Sequence, residues 1–398
     1  MEIRKLKTTE IDLSIKMSEY AFQYTLSDEE RVERREYIKP EHTWVAVEND
    51  SILSKASIIP FQTYIYGKKV PMGGVSGVAT WPEHRRSGLV KELLFHSLKE
   101  MKQSGQVLSF LYPFSIPFYR KYGWELFAEK QKLTLTREQL PKRTPTEGYV
   151  RRVQKDEKLI NNVYDEWATH YNGCLIRETD WWKKSIFRSK KHSIAVYYNS
   201  SDEPRGYMIY YVESECLTID EIIWLDPDSR NGLFSFIGNH DSMIKKAIIT
   251  ITPNDGMPHI LPDPKVEREI QSYFMARIVD VKKLLDLLPH RNGLESVEPI
   301  ILHITDEFCS WNDGVYFIRH SPDMRIEFYP TKVNQGASCK HPPKKGIRLS
   351  VQTLAALLLH AQSMDTLYSE GFILGDKETA DALADLIPKN KPFIYDFF

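Results

Sequence analysis

The stretch that decides the fold runs Val75-Ser76-Gly77-Val78-Ala79-Thr80-Trp81-Pro82-Glu83-His84-Arg85-Arg86-Ser87-Gly88-Leu89-Val90. Its first part, up to Thr80, is apolar enough for a buried strand, which Pro82 ends. From Leu89 apolar residues recur at helical spacing as far as Met101, so a helix follows. A strand, a glycine-containing turn and a helix in this order bring free backbone N–H groups and the positive end of the helix to one point. The stretch therefore predicts a site for a phosphate group.

The basic turn of this stretch is Arg85-Arg86-Ser87-Gly88-Leu89-Val90. It lacks the Gly-Lys-Ser/Thr that closes a P-loop and the G-x-G-x-x-G of dinucleotide-binding folds. It resembles the R/Q-x-x-G-x-G/A loop with which GNAT acetyltransferases hold the pyrophosphate of acetyl-CoA, with Val90 in place of the small sixth residue. A basic turn that begins an ordinary helix is the alternative, and the hexapeptide alone does not decide between the two.

Composition limits the classes of protein to consider. The chain has 398 residues, enough for two or three domains, and its 42% apolar and 27% charged residues are typical of globular proteins. The net charge of −1 gives no support for nucleic acid or a membrane surface as the main partner. The first residues lack the apolar core of a signal peptide, and the apolar run Leu354 to Leu359 is too short to span a bilayer.

The cysteines lie far apart in the sequence, with no C-x-x-C pair and no Cys/His spacing that fits a metal ion. We therefore expect free thiols in a reducing cytoplasm, and no metal site. The cysteines are Cys174, Cys216, Cys309 and Cys339.

The residues on both sides of the opening stretch predict a first α/β domain, residues 1–140. Its other predicted strands are Ile3–Leu6, Trp44–Val47, Ile52–Tyr66, Val107–Leu111 and Gln131–Leu135, and its other helices are Thr9–Phe22, Ser27–Tyr37 and Ser115–Lys121. The resulting order, β-α-α-β-β-β-α-β-α-β, is the order of GNAT domains. The order and the basic turn therefore support the same interpretation.

A second domain, residues 149–280, repeats the pattern in weakened form after a linker rich in proline and threonine. Two stretches echo the first domain without a gap: Tyr149–Glu157 echoes Glu2–Glu10, and Ile222–Leu233 echoes Val78–Leu89. In the second echo, Ser229 replaces Arg85, Asp228 replaces His84 and Phe234 replaces Val90, so the basic character is lost. We expect a degenerate GNAT copy that no longer binds CoA.

The third part, residues 288–398, follows a different pattern. Strands are predicted at Ile300–Ile304, Gly314–Ile318 and Met324–Tyr329, and helices at Val351–His360 and Asp376–Ile387. The segment Gly371–Asp376 resembles the one that precedes the last helix of sterol carrier protein-like domains. Such a domain covers an apolar sheet with helices. A generic packing domain is the alternative to a lipid-binding one.

Acetyl transfer from a thioester to an amine needs a polarised carbonyl, a base for the amine and an acid for the leaving thiolate. Backbone N–H groups of Val78, Ala79 and Thr80 are candidates for the first role. The segment Phe118–Trp124 resembles the GNAT F-Y-x-x-x-G-(F/W/Y) segment, whose first tyrosine places its phenol beside the CoA sulfur. This resemblance makes Tyr119 the predicted acid, because a tyrosine with an ordinary pKa near 10 keeps its proton at neutral pH. Packing of the helix is the alternative role.

No base is evident near the basic turn. The strand before it carries no carboxylate, and Glu83 and His84 lie on the loop, where they would face phosphate. The sequence ends with Pro392-Phe393-Ile394-Tyr395-Asp396-Phe397-Phe398, and an end this apolar is expected to be buried. Burial would raise the pKa of a terminal carboxylate from about 3.5, which would make it a better base.

The three domains, the degenerate second copy and the aromatic end together resemble the enhanced intracellular survival (Eis) family. Its members are GNAT–GNAT–sterol carrier-like acetyltransferases that act on amines, including aminoglycosides at more than one position, and form ring-like hexamers. The resemblance implies that Tyr119 is the acid and that the main-chain carboxylate of Phe398 is the base. It also implies that acetyl-CoA is bound as co-substrate by Val78, Ala79, Thr80, Arg85, Arg86, Ser87, Gly88, Leu89, Val90, Lys91, Phe114 and Ser115.

The sequence departs from that family at its end, where Phe397 rather than an acid precedes the last residue and Asp396 lies one position further in. An acidic pocket is the best holder of a cationic acceptor. Asp28, Glu29 and Glu30 are further candidates for it, with a solvated helix start as their alternative role.

Three functions remain open at this point. The leading hypothesis is an acetyl-CoA-dependent N-acetyltransferase of small cationic amines. The second is a protein or peptide lysine N-acetyltransferase. The third, from another class, is a lipid- or partner-binding protein that uses the last domain.

Overall fold

The computed structural model describes residues 1–253, 255–289, 298–319, 324–331 and 343–398. Its strands are β1 (Glu2–Lys5), β2 (Thr43–Glu48), β3 (Ser51–Ile65), β4 (Lys68–Thr80), β5 (Leu108–Leu111), β6 (Glu125–Thr136), β7 (Tyr149–Val153), β8 (Tyr171–Asn172), β9 (Ser193–Tyr198), β10 (Pro204–Glu213), β11 (Cys216–Trp224), β12 (Lys246–Ile251), β13 (Glu267–Ile278), β14 (Ile300–Thr305), β15 (Gly314–Arg319), β16 (Arg325–Pro330), β17 (Ile347–Ser350), β18 (Leu374–Gly375) and β19 (Lys391–Pro392).

The helices lie between these strands in the order that the sequence predicts for the first domain. They are α1 (Ile11–Phe22), α2 (Asp28–Tyr37), α3 (Leu89–Gln103), α4 (Ile116–Arg120), α5 (Glu157–Ala168), α6 (Thr179–Trp181, continued by a π-helix Trp182–Ile186), α7 (Pro227–Gly238), α8 (Met257–Ile260), α9 (Val281–Leu285), α10 (Val351–Leu358), α11 (Met364–Ser369) and α12 (Lys377–Leu386). Short 3₁₀ turns are Thr8–Glu10, Pro40–His42, Pro82–His84 and Arg137–Gln139.

The two predicted GNAT copies share one continuous sheet of 12 strands, in the order β1-β2-β3-β4-β5-β13-β6-β12-β11-β10-β9-β7. Their last strands are exchanged. β6, the last strand of the first copy, pairs with β12 of the second, and β13, the last strand of the second copy, pairs with β5 of the first. β6 and β13 also pair with each other. The sequence gives no sign of this exchange, because apolar alternation identifies a strand but not its partner.

The start of the first domain follows its local signals. Ser27 and Glu30 form a capping box at α2, in which each side chain accepts from the other residue's backbone N–H. Asn49 and Asp50 turn the β2–β3 hairpin at φ 48° and 61°, a region that these residue types tolerate. The acidic residues at Asp28 to Glu30 form an exposed helix start, so capping accounts for Glu30.

Two strands are longer than the sequence predicts. β4 begins at Lys68 instead of near Val75, and β6 begins at Glu125 instead of Gln131. Pro71 and the adjacent glycines disfavour a strand by local propensity. β3 nevertheless pairs with this part of β4 from Gly74 back to Lys68, and this pairing overrides the local preference.

The third domain has a sheet of five strands, in the order β16-β15-β14-β17-β18, covered by α10, α11 and α12. The predicted strands and helices of this region are confirmed to within a few residues. α10 packs between this small sheet and β6 and β13 of the large one. Leu354 and Leu358 of α10 share one buried cluster with Phe110, Phe127 and Phe274. The apolar face of the small sheet is thus filled by side chains that continue into the core of the GNAT sheet.

Three cysteines, Cys174, Cys216 and Cys309, are free thiols, and Cys339 lies outside the described residues. Among the residues that the structure describes, no group of three or more His, Cys, Asp or Glu is arranged to hold a metal ion. Within the same residues, no helix combines the length and the apolar character that crossing a bilayer requires.

Candidate active site

An opening in the sheet lies between β4 and β5. The two strands run parallel and pair from Met72–Leu108 to Val75–Leu111, and then they separate. β4 continues to Thr80 beside β3, whereas β5 ends. The edge of β4 beyond Val75 therefore faces a gap instead of a neighbouring strand, and its backbone groups are available to a ligand.

A β-bulge lies in this free part of β4. Ser57 pairs with Ser76 and Lys55 pairs with Ala79, so that Gly77 and Val78 together stand opposite one residue of β3. Gly77 takes φ 59°, which glycine adopts without strain. A bulge re-aims the backbone groups of its strand. It includes Val78 and directly precedes Ala79 and Thr80, the three residues whose N–H groups are candidates to polarise the carbonyl.

The basic turn joins β4 to α3 and is open to solvent. Arg85, Arg86, Ser87 and Gly88 are exposed, and no side chain caps the start of α3. Gly88 takes φ 83°, and a Cβ at this position would have no neighbour within 4 Å. The first backbone N–H groups of a helix have no hydrogen-bond acceptor within that helix. In α3 these are the N–H groups of Leu89, Val90 and Lys91. The turn thus combines free amides, a positive helix end and two guanidinium groups.

Tyr119 lies on α4, on one flank of the opening. It is buried, and it shares a cluster with Val75 and Leu111, the last paired residues of β4 and β5. Desolvation by burial raises the pKa of Tyr119 above its ordinary value. A phenol with a raised pKa stays protonated at neutral pH, so it can donate to a basic leaving group. Tyr122, one turn on, packs against Phe118 and Phe308.

Phe114 and Ser115 connect β5 to α4. Phe114 is exposed, and its ring centroid lies 5.3 Å from that of Tyr119 and 5.1 Å from that of Phe118. Ser115 stands at the N-cap of α4 without a side-chain capping bond. The structure therefore brings the predicted pair to the same flank of the opening as Tyr119.

Phe398 lies on the other flank. A Cβ on Gly74 would stand 2.7 Å from Cε2 of Phe398 and 2.8 Å from Cε2 of Phe61. The Phe398 ring also lies 4.9 Å from that of Phe61 and 4.9 Å from that of Phe274. Gly74 and Val75 are neighbours in β4, and successive strand residues face opposite sides of a sheet. Phe398 and Tyr119 therefore approach the opening from opposite faces.

The segment before Phe398 is held by side chains from both GNAT copies. Lys130 Nζ donates to the carbonyl oxygen of Tyr395 at 2.9 Å, and Tyr273 Oη donates to that of Asp396 at 2.9 Å. Asp396 itself forms a fully buried ion pair with Arg177 at 2.9 Å. None of these partners is indicated by spacing in the sequence. The acids close to Arg177 in the sequence are Glu178 and Asp180, whereas its buried partner Asp396 is 219 positions away.

The corresponding strand-to-helix junction of the second copy is closed. Asp226 accepts from the backbone N–H of Ser229 at 2.7 Å and so caps α7, which begins at Pro227 directly after β11. The Tyr197 hydroxyl donates to Asp228. An anion would meet the capping carboxylate of Asp226, with which Arg205 is already paired at 3.0 Å, instead of free amides. This agrees with the predicted loss of CoA binding in this copy.

Family models match three parts of the chain. One model of an acetyltransferase (GNAT) domain matches residues 2–127, and another matches residues 173–278. A model of a sterol carrier protein domain matches residues 281–395. The order of these matches is the order that the sequence predicts.

Several proteins with similar sequences are N-acetyltransferases. An uncharacterized N-acetyltransferase of Streptomyces avermitilis is 23% identical, over 94% of this chain and 92% of that protein. N-acetyltransferase Eis of Mycobacterium tuberculosis is 26% identical, over 54% of this chain and 57% of that protein. These matches confirm the predicted enzyme class, an acetyltransferase of the GNAT type that uses acetyl-CoA.

Solved structures share the whole architecture. A probable N-acyltransferase from Enterococcus faecalis V583 has a TM-score of 0.89 and 26% identity, covering 100% of this chain and 99% of its own. Eis1 from Mycobacterium abscessus shares the fold with a TM-score of 0.80 at 17% identity, covering 100% of both chains. The chain therefore has the architecture of a GNAT-type N-acetyltransferase, with two GNAT domains that share a sheet and a sterol carrier protein-like domain behind them, and it is similar to the Eis N-acetyltransferases.

Proposed function

We propose that this enzyme transfers the acetyl group of acetyl-CoA directly to an amine of a small cationic acceptor, with Tyr119 as acid and the terminal carboxylate of Phe398 as base. The observation that carries the proposal is the placement of these two residues on opposite faces of one opening. The thioester would lie between them, so that an acceptor on the Phe398 face meets the carbonyl carbon while the sulfur meets Tyr119. Aminoglycoside-like amines, at several positions, are the proposed acceptors by resemblance to the Eis family.

The steps follow from this placement. The phosphates of acetyl-CoA would bind at the turn Arg85–Lys91, with Phe114 and Ser115 beside the pantetheine arm. N–H groups at Val78 to Thr80 would polarise the acetyl carbonyl. The acceptor nitrogen attacks the carbonyl carbon and gives its proton to the carboxylate of Phe398. The C–S bond breaks, and the sulfur takes the proton of the Tyr119 hydroxyl. Both groups then exchange protons with water.

The aromatic side chains on the acceptor face support a cationic acceptor. The rings of Phe61, Phe274 and Phe398 pack together, and Trp181 stands against Phe61 with centroids 5.0 Å apart. Aromatic faces beside a carboxylate attract ammonium groups. Lysine side chains of proteins present the same group, so a protein or peptide acceptor is the second candidate for this face.

The domain boundaries 1–140, 149–280 and 288–398 belong to the same proposal. For the first two domains they are boundaries in the sequence and not in space, because these domains exchange strands within one sheet. A ring-like hexamer and a cytoplasmic location rest on the family resemblance and on the cysteine usage. The lipid-binding alternative gains no support from the third domain, because the described apolar side chains on one face of its sheet are packed into the common core.

The test is a screen of acceptors with the purified chain. Aminoglycosides, polyamines and lysine peptides are each incubated with acetyl-CoA, thiol release is followed, and the products are weighed by mass spectrometry. We expect release with small cationic amines and products that carry more than one acetyl group. Release only with lysine peptides would select the second candidate. A thermal shift with lipid vesicles but none with acetyl-CoA would refute the proposal.

A further inference from the structure

The last residues of the sequence, 391–398, run along the second GNAT copy before they reach the opening of the first. β19 pairs in parallel with β8, and the Phe393 N–H donates to the Asn172 carbonyl oxygen at 2.9 Å. Phe393 and Ile394 are fully buried. The segment is thus held as an added strand and not as a free tail.

Tyr395 occupies the opening of the second copy. β11 and β12 pair in parallel from Cys216–Lys246 to Ile219–Ile249 and then separate, as β4 and β5 do in the first copy. The Tyr395 hydroxyl lies 3.1 Å from the carbonyl oxygen of Ile222, 3.3 Å from that of Thr250 and 3.5 Å from the Ile222 nitrogen. One side chain therefore bridges the two separated strands.

This hydroxyl stands where the first copy would hold the acetyl group. In the repeated stretch Ile222 corresponds to Val78, whose N–H is a candidate to polarise the thioester carbonyl. A cavity of about 170 Å³ lies beside the ring, bordered by Trp167, Trp224 and Asp255, and a cavity of this size holds a few water molecules. The second copy thus binds a side chain of its own chain at the position where the first copy is open.

Asp396 provides the next anchor. Its carboxylate accepts from Arg177 Nε at 2.9 Å and from Trp181 Nε1 at 2.7 Å. Arg177 also donates to both oxygens of Glu221, at 2.8 and 2.6 Å. Tyr207 donates to Glu221 as well. These charges are out of solvent, so removing one partner leaves a buried charge uncompensated. The geometry of the segment is therefore tightly fixed at Asp396.

We propose that Arg177 and Tyr395 are positioning residues for the reaction. They hold residues 395 and 396 on the second copy, and this fixes where the carboxylate of Phe398 stands in the opening of the first. The lever is short, because two residues span at most about 7 Å. The second copy then binds the segment that completes the active site. This inference rests on the proposed role of Phe398 as base.

The central test is Asp396→Asn, which keeps the size of the side chain and removes the charge that Arg177 holds. We expect kcat to fall by about 100-fold, as for a misplaced catalytic group, with the KM for acetyl-CoA unchanged. The difference in kcat between the variant and the wild-type chain should narrow as the pH rises, because more of the acceptor amine is then already deprotonated in solution. A variant that is only less stable would show no such narrowing. Tyr395→Phe, which removes the bridging hydroxyl alone, should shift kcat in the same direction by less.

The matched control is Asp306→Asn. Asp306 forms an equally buried ion pair with Arg277, at 2.8 Å, between the third domain and β13. This variant should lose thermal stability and keep kcat and its pH profile. Should Asp396→Asn fail to fold, Trp181→Phe takes its place in the test, because this variant removes one hydrogen-bond donor to Asp396. Wild-type kcat in a folded Asp396→Asn chain, or equal losses of kcat in both Asn variants, would overturn the inference.

A second readout does not depend on acetyl transfer. Carboxypeptidase Y should release Phe398 faster from Asp396→Asn than from the wild-type chain or Asp306→Asn, as followed by intact mass. Equal release from all three chains would mean that Arg177 does not hold the segment, whatever the activity. If the wild-type chain transferred no acetyl group and Asp396→Asn still released Phe398 faster, Arg177 would be shown to hold the segment and the proposed function would be rejected instead.

Discussion

The ring of Phe398 lies on the α-carbon of Gly74, with so little room that an added Cβ would stand 2.7 Å from Cε2. This contact joins the end of the sequence to the strand whose free edge forms the opening. It requires a residue without a side chain at position 74, on the face of β4 that is turned away from α3. The contact therefore brings the segment in which we propose the base to a strand that carries no carboxylate of its own.

Gly74→Ala tests this contact. The new Cβ would be closer to Phe398 and Phe61 than side-chain carbons come, so the ring has to move. We expect kcat to fall by about tenfold or more, because a displacement of about 1 Å is enough for such a loss. The acetyl-CoA dissociation constant, measured by calorimetry, should not change, since the basic turn is untouched.

Gly206→Ala is the control for overpacking in a strand. Its Cβ would meet the Ile223 carbonyl oxygen at 2.9 Å, within the second copy. It should cost stability and leave kcat alone. Normal turnover by Gly74→Ala would mean that the position of Phe398 does not matter for the reaction.

Extending the chain by a few residues after Phe398 should remove the proposed base without altering the ring. The terminal carboxylate becomes an amide, which cannot accept the amine proton, and kcat should fall by about 100-fold. The same residues added before Met1 form the control. Steady-state kinetics of both chains, with folding checked by circular dichroism, decide the matter. Full activity of the extended chain would exclude the carboxylate as base.

Tyr119→Phe should lower kcat by about 100-fold while acetyl-CoA binds as before. The hydroxyl is the only group removed, and the ring keeps its packing against Phe114 and Trp124. Tyr122→Phe is the matched control, because Tyr122 lies in the turn that follows the same helix and packs away from the opening, against Phe308. Similar rates for both variants would reduce Tyr119 to a packing residue.

The parts of the candidate site that are contiguous in the chain could be predicted from the sequence. The basic turn, the uncapped start of α3 and the Tyr119 segment are short stretches in which residue type and spacing carry the information. The order of three domains follows from the same kind of local pattern. The structure confirms this order, and the family matches agree with it.

Long-range partners were beyond the sequence. Nothing in the spacing of residues pairs Arg177 with Asp396, or places Gly74 beneath Phe398. The exchange of β6 and β13 depends on which strand edges meet, and several edges offer the same alternation of apolar residues. The sequence predicted a buried apolar end, which is confirmed for Phe393 to Tyr395 but is wrong for Phe397, which is exposed. Nothing in the sequence indicated the second-copy opening in which Tyr395 lies.

Gly88→Ala should weaken acetyl-CoA binding. Gly88 has a positive φ and open space around it, so a Cβ would strain the backbone by about 1 kcal/mol and occupy the space in front of the free amides of α3. Loss of one charge-assisted hydrogen bond to the pyrophosphate would raise the dissociation constant by about tenfold. Calorimetric titration with acetyl-CoA measures this.

Gly371→Ala gives a control of the same backbone type. Gly371 has φ 77° and no neighbour within 4 Å of a Cβ, and it lies after α11 in the third domain. Both variants should lose similar stability, whereas only Gly88→Ala should bind acetyl-CoA less tightly. Equal affinities would place the pyrophosphate elsewhere.

Lys55 should make stability depend on pH. It lies buried on β3, and its Nζ donates to the Ser14 carbonyl oxygen at 2.6 Å and to the hydroxyls of Ser14 at 2.8 Å and Ser18 at 2.6 Å. Burial lowers the pKa of Lys55 from 10.5 to about 7. Between these values the unfolded chain binds more protons than the folded one, so the free energy of unfolding rises with pH.

Lys55→Met removes this titration. The variant should gain most relative to the wild-type chain near pH 7, and its advantage should shrink by roughly 4 kcal/mol as the pH approaches 10.5, at about 1.4 kcal/mol per pKa unit. Urea unfolding of both chains across this range gives the difference, in which tyrosine and cysteine titrations cancel. Lys16→Met, an exposed lysine on α1 beside Ser14 and Ser18, is the control. Parallel stability curves for Lys55→Met and the wild-type chain would mean that Lys55 stays charged in the folded protein, with the three oxygens that surround it compensating for its burial.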